Sequence, residues 1–160
     1  IRDVDFLMVI HPKDLSEQTV FAIDQFILGG GRAIIAVDPH CVADAPEMSQ
    51  RFSGAAHDSS SNLQSLLDAW GLVMPERTFA GDRKLAVTGS PDPGQRPQRI
   101  LGFMVLQNAY HCFNDEKPMT SELNELRVLF PGVLQVQAQE PSSSDNPAGD
   151  LSYTPLLFTR

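Results

Sequence analysis

Cysteine is nearly absent from this 160-residue chain, which has only Cys41 and Cys112. Two thiols are too few for a disulfide scaffold, and no C-x-x-C spacing points to a metal centre. We expect two separate small hydrophobes. Basic side chains are also scarce. Twelve Lys and Arg against twenty Asp and Glu leave a net charge of −8. That balance argues against a nucleic-acid partner or an anionic membrane surface, both of which need clustered cations. No uncharged apolar run approaches the ~18 residues of a membrane span, and no signal peptide opens the chain. Because 42% of the residues are apolar and 20% charged, the chain can bury a core and is not a disordered tail. Its length suits one domain, residues 1–160. The opening at Ile1 and the close at Arg160 lead us to expect a piece excised from a longer protein.

The first forty residues carry the clearest pattern. Asp5 to Ile10 is a short, nearly unbroken apolar run stopped by His11-Pro12. Lack of alternation suits a strand covered on both faces, as in a parallel sheet. Asp14 or Ser16 can cap a helix start, and Glu17 suits the positive end of its dipole. Val20, Ile23 and Ile27 recur at helical spacing, with Phe21 and Phe26 widening the stripe. Gly29-Gly30-Gly31 reads as the helix stop. A phosphate loop would need the glycines after a strand and before a helix, the reverse of the order here. Ala33 to Val37 is a second apolar run, closed by Asp38-Pro39. Strand, helix and strand make a βαβ unit.

Residues 40–62 are polar and loop-like, and loops of that length are usually functional or mobile. Leu63, Leu66, Leu67 and Trp70 predict a short helix ended by Gly71. Leu85 to Val87 and Ile100 to Leu106 predict a hairpin, with Arg83, Lys84, Arg96 and Arg99 as a solvated basic patch around it. From Gly132 to Gln139 apolar residues alternate with glutamine, which predicts a strand with one wet face near a sheet edge. Pro141 to Asp150 reads as a loop, and Tyr153 to Phe158 as a last edge strand containing Pro155.

An ordered set of segments resembles the soluble domain of auxiliary components of uncharacterised ABC-type transport systems, the family of GldG-like gliding-motility proteins. The set comprises DFLMVIHPK from Asp5, Leu15 to Gln18, Ala22 to Phe26, Gly30-Gly31-Arg32, Val37-Asp38-Pro39, LLDAWG from Leu66, Gly81-Asp82, NDEKPMT from Asn114, and Thr154 to Leu157. The resemblance implies an α/β fold like that of class I glutamine amidotransferases and flavodoxin. Such a fold is a three-layer sandwich with a mostly parallel central sheet and antiparallel edge strands. It also implies an extracytoplasmic, periplasmic domain of a membrane-anchored protein, working beside a permease and an ATP-binding subunit. It supplies no catalytic residues and no cofactor.

In open parallel sheets ligands bind beyond the carboxyl ends of the strands. His11 and Lys13 follow the first predicted strand, and Asp38, His40 and Cys41 follow the second. These five residues form the candidate ligand-binding rim. One reading makes Cys41 a nucleophile with His11 or His40 as base, in a cysteine-dependent amidohydrolase. A nucleophile of that kind usually stands on a glycine-flanked elbow, which this stretch lacks. A second reading gives His11, Asp38, His40 and Cys41 to zinc, yet the spacing lacks ordered ligand pairs. The reading adopted is of polar strand ends that recognise a ligand or partner without chemistry, metal or cofactor. A third possibility is an interaction module exposing the glutamine-lined strand from Val133 to Gln139.

Overall fold

The computed structural model describes residues 1, 3–48, 54, 56–90, 94–137 and 152–159. The chain divides into two compact units: Ile1–Thr78 with Gly132–Gly149, and Phe79–Pro131 with Asp150–Arg160.

In the first unit, strand β1 (Phe6–Ile10) pairs in parallel with β2 (Arg32–Ala36), Met8 lying opposite Ile34. Helix α1 (Glu17–Leu28) crosses between them. Ser16 is its N-cap, and its Oγ accepts from the Thr19 N–H at 3.2 Å. The glycine stop works in three steps. Gly29 donates to the Gln25 carbonyl, Gly30 takes the left-handed φ of 89°, and a Cβ on Gly31 would run into the Phe26 ring. Ile23 is the buried centre of the α1 stripe, with Leu7, Val9, Val20, Ile27 and Ile35 packed around it, whereas Phe21 faces solvent. A second helix, α2 (Gln64–Ala69), adds Leu63, Leu66 and Leu67 to the buried residues, and Gly71 at φ 68° follows it.

The βαβ unit is where the sequence placed it, but the sheet built on it is not. The expected three-layer sandwich with a mostly parallel central sheet does not form. Parallel pairing ends at two strands, and the other described strands pair antiparallel, in sheets of two and three. After α2 the chain makes only a two-residue strand, β3 (Leu72–Val73), cut short by Met74-Pro75, because proline has no N–H for a ladder. β3 pairs with β7 (Gln135–Val136) instead of extending the β1–β2 sheet. Double-sided burial also fails. Leu7, Val9, Ala33 and Ile35 point to the covered face, while Phe6, Met8, Ile10 and Ile34 are 47–68% exposed on the other.

The second unit is a meander: β4 (Ala86–Gly89), β5 (Gln98–Gln107) and β6 (Glu125–Leu129), all antiparallel. Alternation along β5 buries Gly102, Met104 and Leu106, and the last two form the core with Leu85, Cys112 and Phe113. The predicted hairpin is β4–β5, with a register shift between Ala86 and Val87. Arg83, Lys84, Arg96 and Arg99 are exposed around it, and Arg99 donates to the Arg83 carbonyl. The predicted last strand makes one bridge, Leu157 opposite Phe113. Asn114 ties that end down by donating to the Pro155 carbonyl at 2.9 Å.

Gly102 is required for close approach. A Cβ there would meet the Phe130 ring and lie 2.9 Å from Phe79, and the two rings pack edge to face at 5.2 Å. Gly102→Ala is expected to lower unfolding free energy by ~1–3 kcal/mol through overpacking, and Met104→Ala by ~2–5 kcal/mol through the cavity it leaves. Chemical denaturation followed by circular dichroism checks both.

Candidate functional site at the strand ends

β1 and β2 end side by side because they are parallel and in register. His11 follows at φ 49°, and its N–H still reaches the Ala36 carbonyl at 2.9 Å. Beyond β2 the chain turns at Asp38, whose Oδ1 accepts from the His40 N–H at 2.8 Å. Asp38 also bridges to Ser61 in both directions, and the Cys41 N–H donates to the Ser59 carbonyl. Two parts of the connection, 38–41 and 59–61, therefore lie against each other as a short antiparallel ladder.

The organising group is Asp44. Its Oδ2 accepts from Lys13 Nζ at 2.5 Å and from His11 Nε2 at 3.2 Å, and its Oδ1 faces His57 Nε2 at 3.1 Å. The same His57 nitrogen lies 2.9 Å from the Asp44 carbonyl. Both partners of that nitrogen are acceptors, so the proton of His57 is assigned to Nε2, and the carboxylate beside His11 assigns it likewise. That leaves His11 Nδ1 as a buried acceptor that no partner reaches among the described residues. Lys13 also donates to the Asp58 carbonyl at 2.6 Å, while Ser60 donates twice to the Asp58 carboxylate.

Charge follows geometry. The Lys13 ammonium first, then His11, hold the Asp44 carboxyl far below its ordinary value. The same bond raises Lys13. The Ser60 hydroxyl and N–H lower Asp58. The side chains of Lys13, His11, His57 and Asp44 are 20–30% exposed, so water screens these interactions in part.

Of the five rim residues expected from sequence, His11 and Lys13 meet on one carboxylate. Asp38, His40 and Cys41 form the adjoining turn. Asp44, His57 and Asp58 were missed. Their signal was a 23-residue polar stretch, 40–62, holding acids and a histidine directly after a strand end, but nothing in its spacing identifies which acid folds back. The Cys41 thiol is free, and among the described residues it makes no bond to His11 or His57. The His40 Nδ1 is turned to Ser59 Oγ at 3.1 Å. Among the described residues no three His, Cys, Asp or Glu side chains gather as a metal site. The glutamine-lined strand is shorter than expected: β7 covers Gln135–Val136 and is paired with β3, and residues 138 and 139 lie outside the described residues.

A family model described as an ABC-type uncharacterized transport system matches residues 1–160. The chain belongs to that family. It is thus an auxiliary component of an ABC-type transport system, as the ordered segments implied. No helix among its described residues is long and apolar enough to cross a membrane. Comparison with curated proteins and with solved structures finds no match.

The geometry at Asp44 makes it a clasp. Asp44→Asn is expected to lower the melting temperature at neutral pH by releasing the connection from Lys13. The folded carboxyl titrates below its unfolded value of 3.8. Its contribution is therefore complete above that pH and lost as pH falls from there through the folded value. The gap between wild type and variant should close in acid, as thermal melts at stepped pH would record. A gap constant down to strongly acidic pH would remove the charge from the explanation.

Proposed function

We propose that residues 1–160 act as one non-catalytic, extracytoplasmic recognition domain of a larger, membrane-anchored auxiliary protein. It works in the periplasm beside a permease and an ATP-binding subunit. Recognition of substrate or partner falls to the rim of His11, Lys13, Asp38, His40 and Cys41. The observation that carries this reading is the family match over the whole chain. The state of the rim supports it. A carboxylate has roughly four acceptor sites, and Asp44 meets three donors from Lys13, His11 and His57. The titratable groups are thus occupied in holding one another, as a rigid surface requires. A cysteine nucleophile would instead need a base at hydrogen-bonding distance.

Cys41 provides the test, being partly exposed while Cys112 is 1% exposed. In intact cells with a permeabilised outer membrane, an impermeant maleimide should label the parent protein, and Cys41→Ser should lose that label. Labelling only after lysis overturns the extracytoplasmic placement. Copurification of a permease and an ATPase with the tagged parent protein is the expected companion result.

A further inference from the structure

A cavity of about 420 Å³ lies within the first unit, away from the Asp44 clasp. Its walls come from the last turn of α1 (Ile27), the covered face of β2 (Ala33, Ile35), α2 (Leu66), Trp70 just past its end, and the segment before β7 (Leu134). On the covered face of β2, Ala33 supplies almost no side-chain bulk to this space. We propose that this cavity binds an unbranched hydrocarbon chain carrying an uncharged polar head.

The chemistry of the walls selects that class. The side chains lining the cavity are aliphatic, apart from Trp70, whose Nε1 already donates to Asp24 Oδ1 at 3.3 Å. The side chains of the described lining therefore direct no free polar group at a guest. The volume is nearly three times the ~150 Å³ of the engineered apolar cavity that admits benzene. It is larger than one aliphatic side chain of a docked peptide would fill. Leu134 is half exposed and marks where the cavity reaches solvent, so one end of the guest stays wet. The charged groups bonded to or beside the lining are the carboxylates of Asp24 and Asp68, the latter holding Gln64 and Gln137. Arg32 faces the opposite side of β2. Among the described residues no Lys or Arg lines the cavity to hold an anionic head. This inference stands apart from the rim, and either can fail without the other.

Trp70 is the sole tryptophan of the chain, so its emission reports occupancy directly. The probes are 1-alkanols from hexanol to dodecanol bearing a terminal bromine as quencher. Saturable quenching is expected, with affinity rising ~4-fold per methylene and levelling once the chain fills the cavity. A carboxylate of equal chain length should bind more weakly. Ala33→Phe, which fills the cavity, should cost at least ~10-fold in affinity, as losing two buried methylenes would. Ala36→Phe, on the exposed face of the same strand, should leave binding unchanged. Brominated-acyl phosphatidylcholine vesicles distinguish the source. Quenching by them as well means that the chain is drawn from a bilayer, and quenching by the alkanols alone means a free amphiphile. Absence of saturable quenching overturns the proposal. So does affinity indifferent to chain length, tighter binding of the carboxylate, or a folded Ala33→Phe protein that binds as wild type does. Should Ala33→Phe not fold, the chain-length series on wild type decides alone.

Discussion

Backbone pairing of two five-residue strands, β1 with β2, is the constraint on which the first unit depends. Because the strands are parallel and in register, their carboxyl ends come out together, and the residues after Ile10 and after Ala36 share one rim. Because side chains alternate across a strand, the same pairing sends Leu7, Val9, Ala33 and Ile35 to one face. There α1 and α2 cover them. The opposite face keeps Phe6, Met8, Ile10 and Ile34 in solvent. Apolar residues on both sides of a strand thus record only what the strand can bury.

The rim shows how a cluster rich in histidine, lysine and aspartate can be structural in its immediate effect. A nucleophilic site needs a group left free to react, with its base aligned upon it. Here the alignment runs the other way. Lys13 and His11 from one strand end and His57 from a distant part of the connection converge on the Asp44 carboxylate. Asp38 and Ser61 meanwhile close the ladder beneath. The result is a long connection held to the strand ends by charge-assisted hydrogen bonds, which are shorter and stronger than neutral ones. A surface so fixed presents His40 and the Cys41 turn in one arrangement.

Local signals were read well wherever a residue acts through its own backbone. Ser16 caps because its hydroxyl reaches a donor three residues on. Gly30 and Gly71 stop helices because they accept positive φ, and Pro12, which cannot donate, stands two residues past the end of β1. The run from Ile100 to Leu106 was likewise read as a strand, and it lies within β5, where half-buried neighbours flank the buried Met104 and Leu106. β6 was not read, because Glu125-Leu126-Arg127-Val128-Leu129 is short and carries two charges. Its place in a sheet rests on partners from Phe103 to Gln107.

What the chain alone determined, then, is the strand–helix–strand opening, the second helix, the hairpin and the family. Each is written in residues a few positions apart or in an ordered string of short segments. Tertiary structure decided how far the parallel sheet grows, which face of it is covered, and which acid gathers His11, Lys13 and His57. It also decided that Ala33 faces a space between α1, β2 and α2. These outcomes depend on contacts across tens of residues, where many pairings satisfy the same local preferences and only the packed chain selects one.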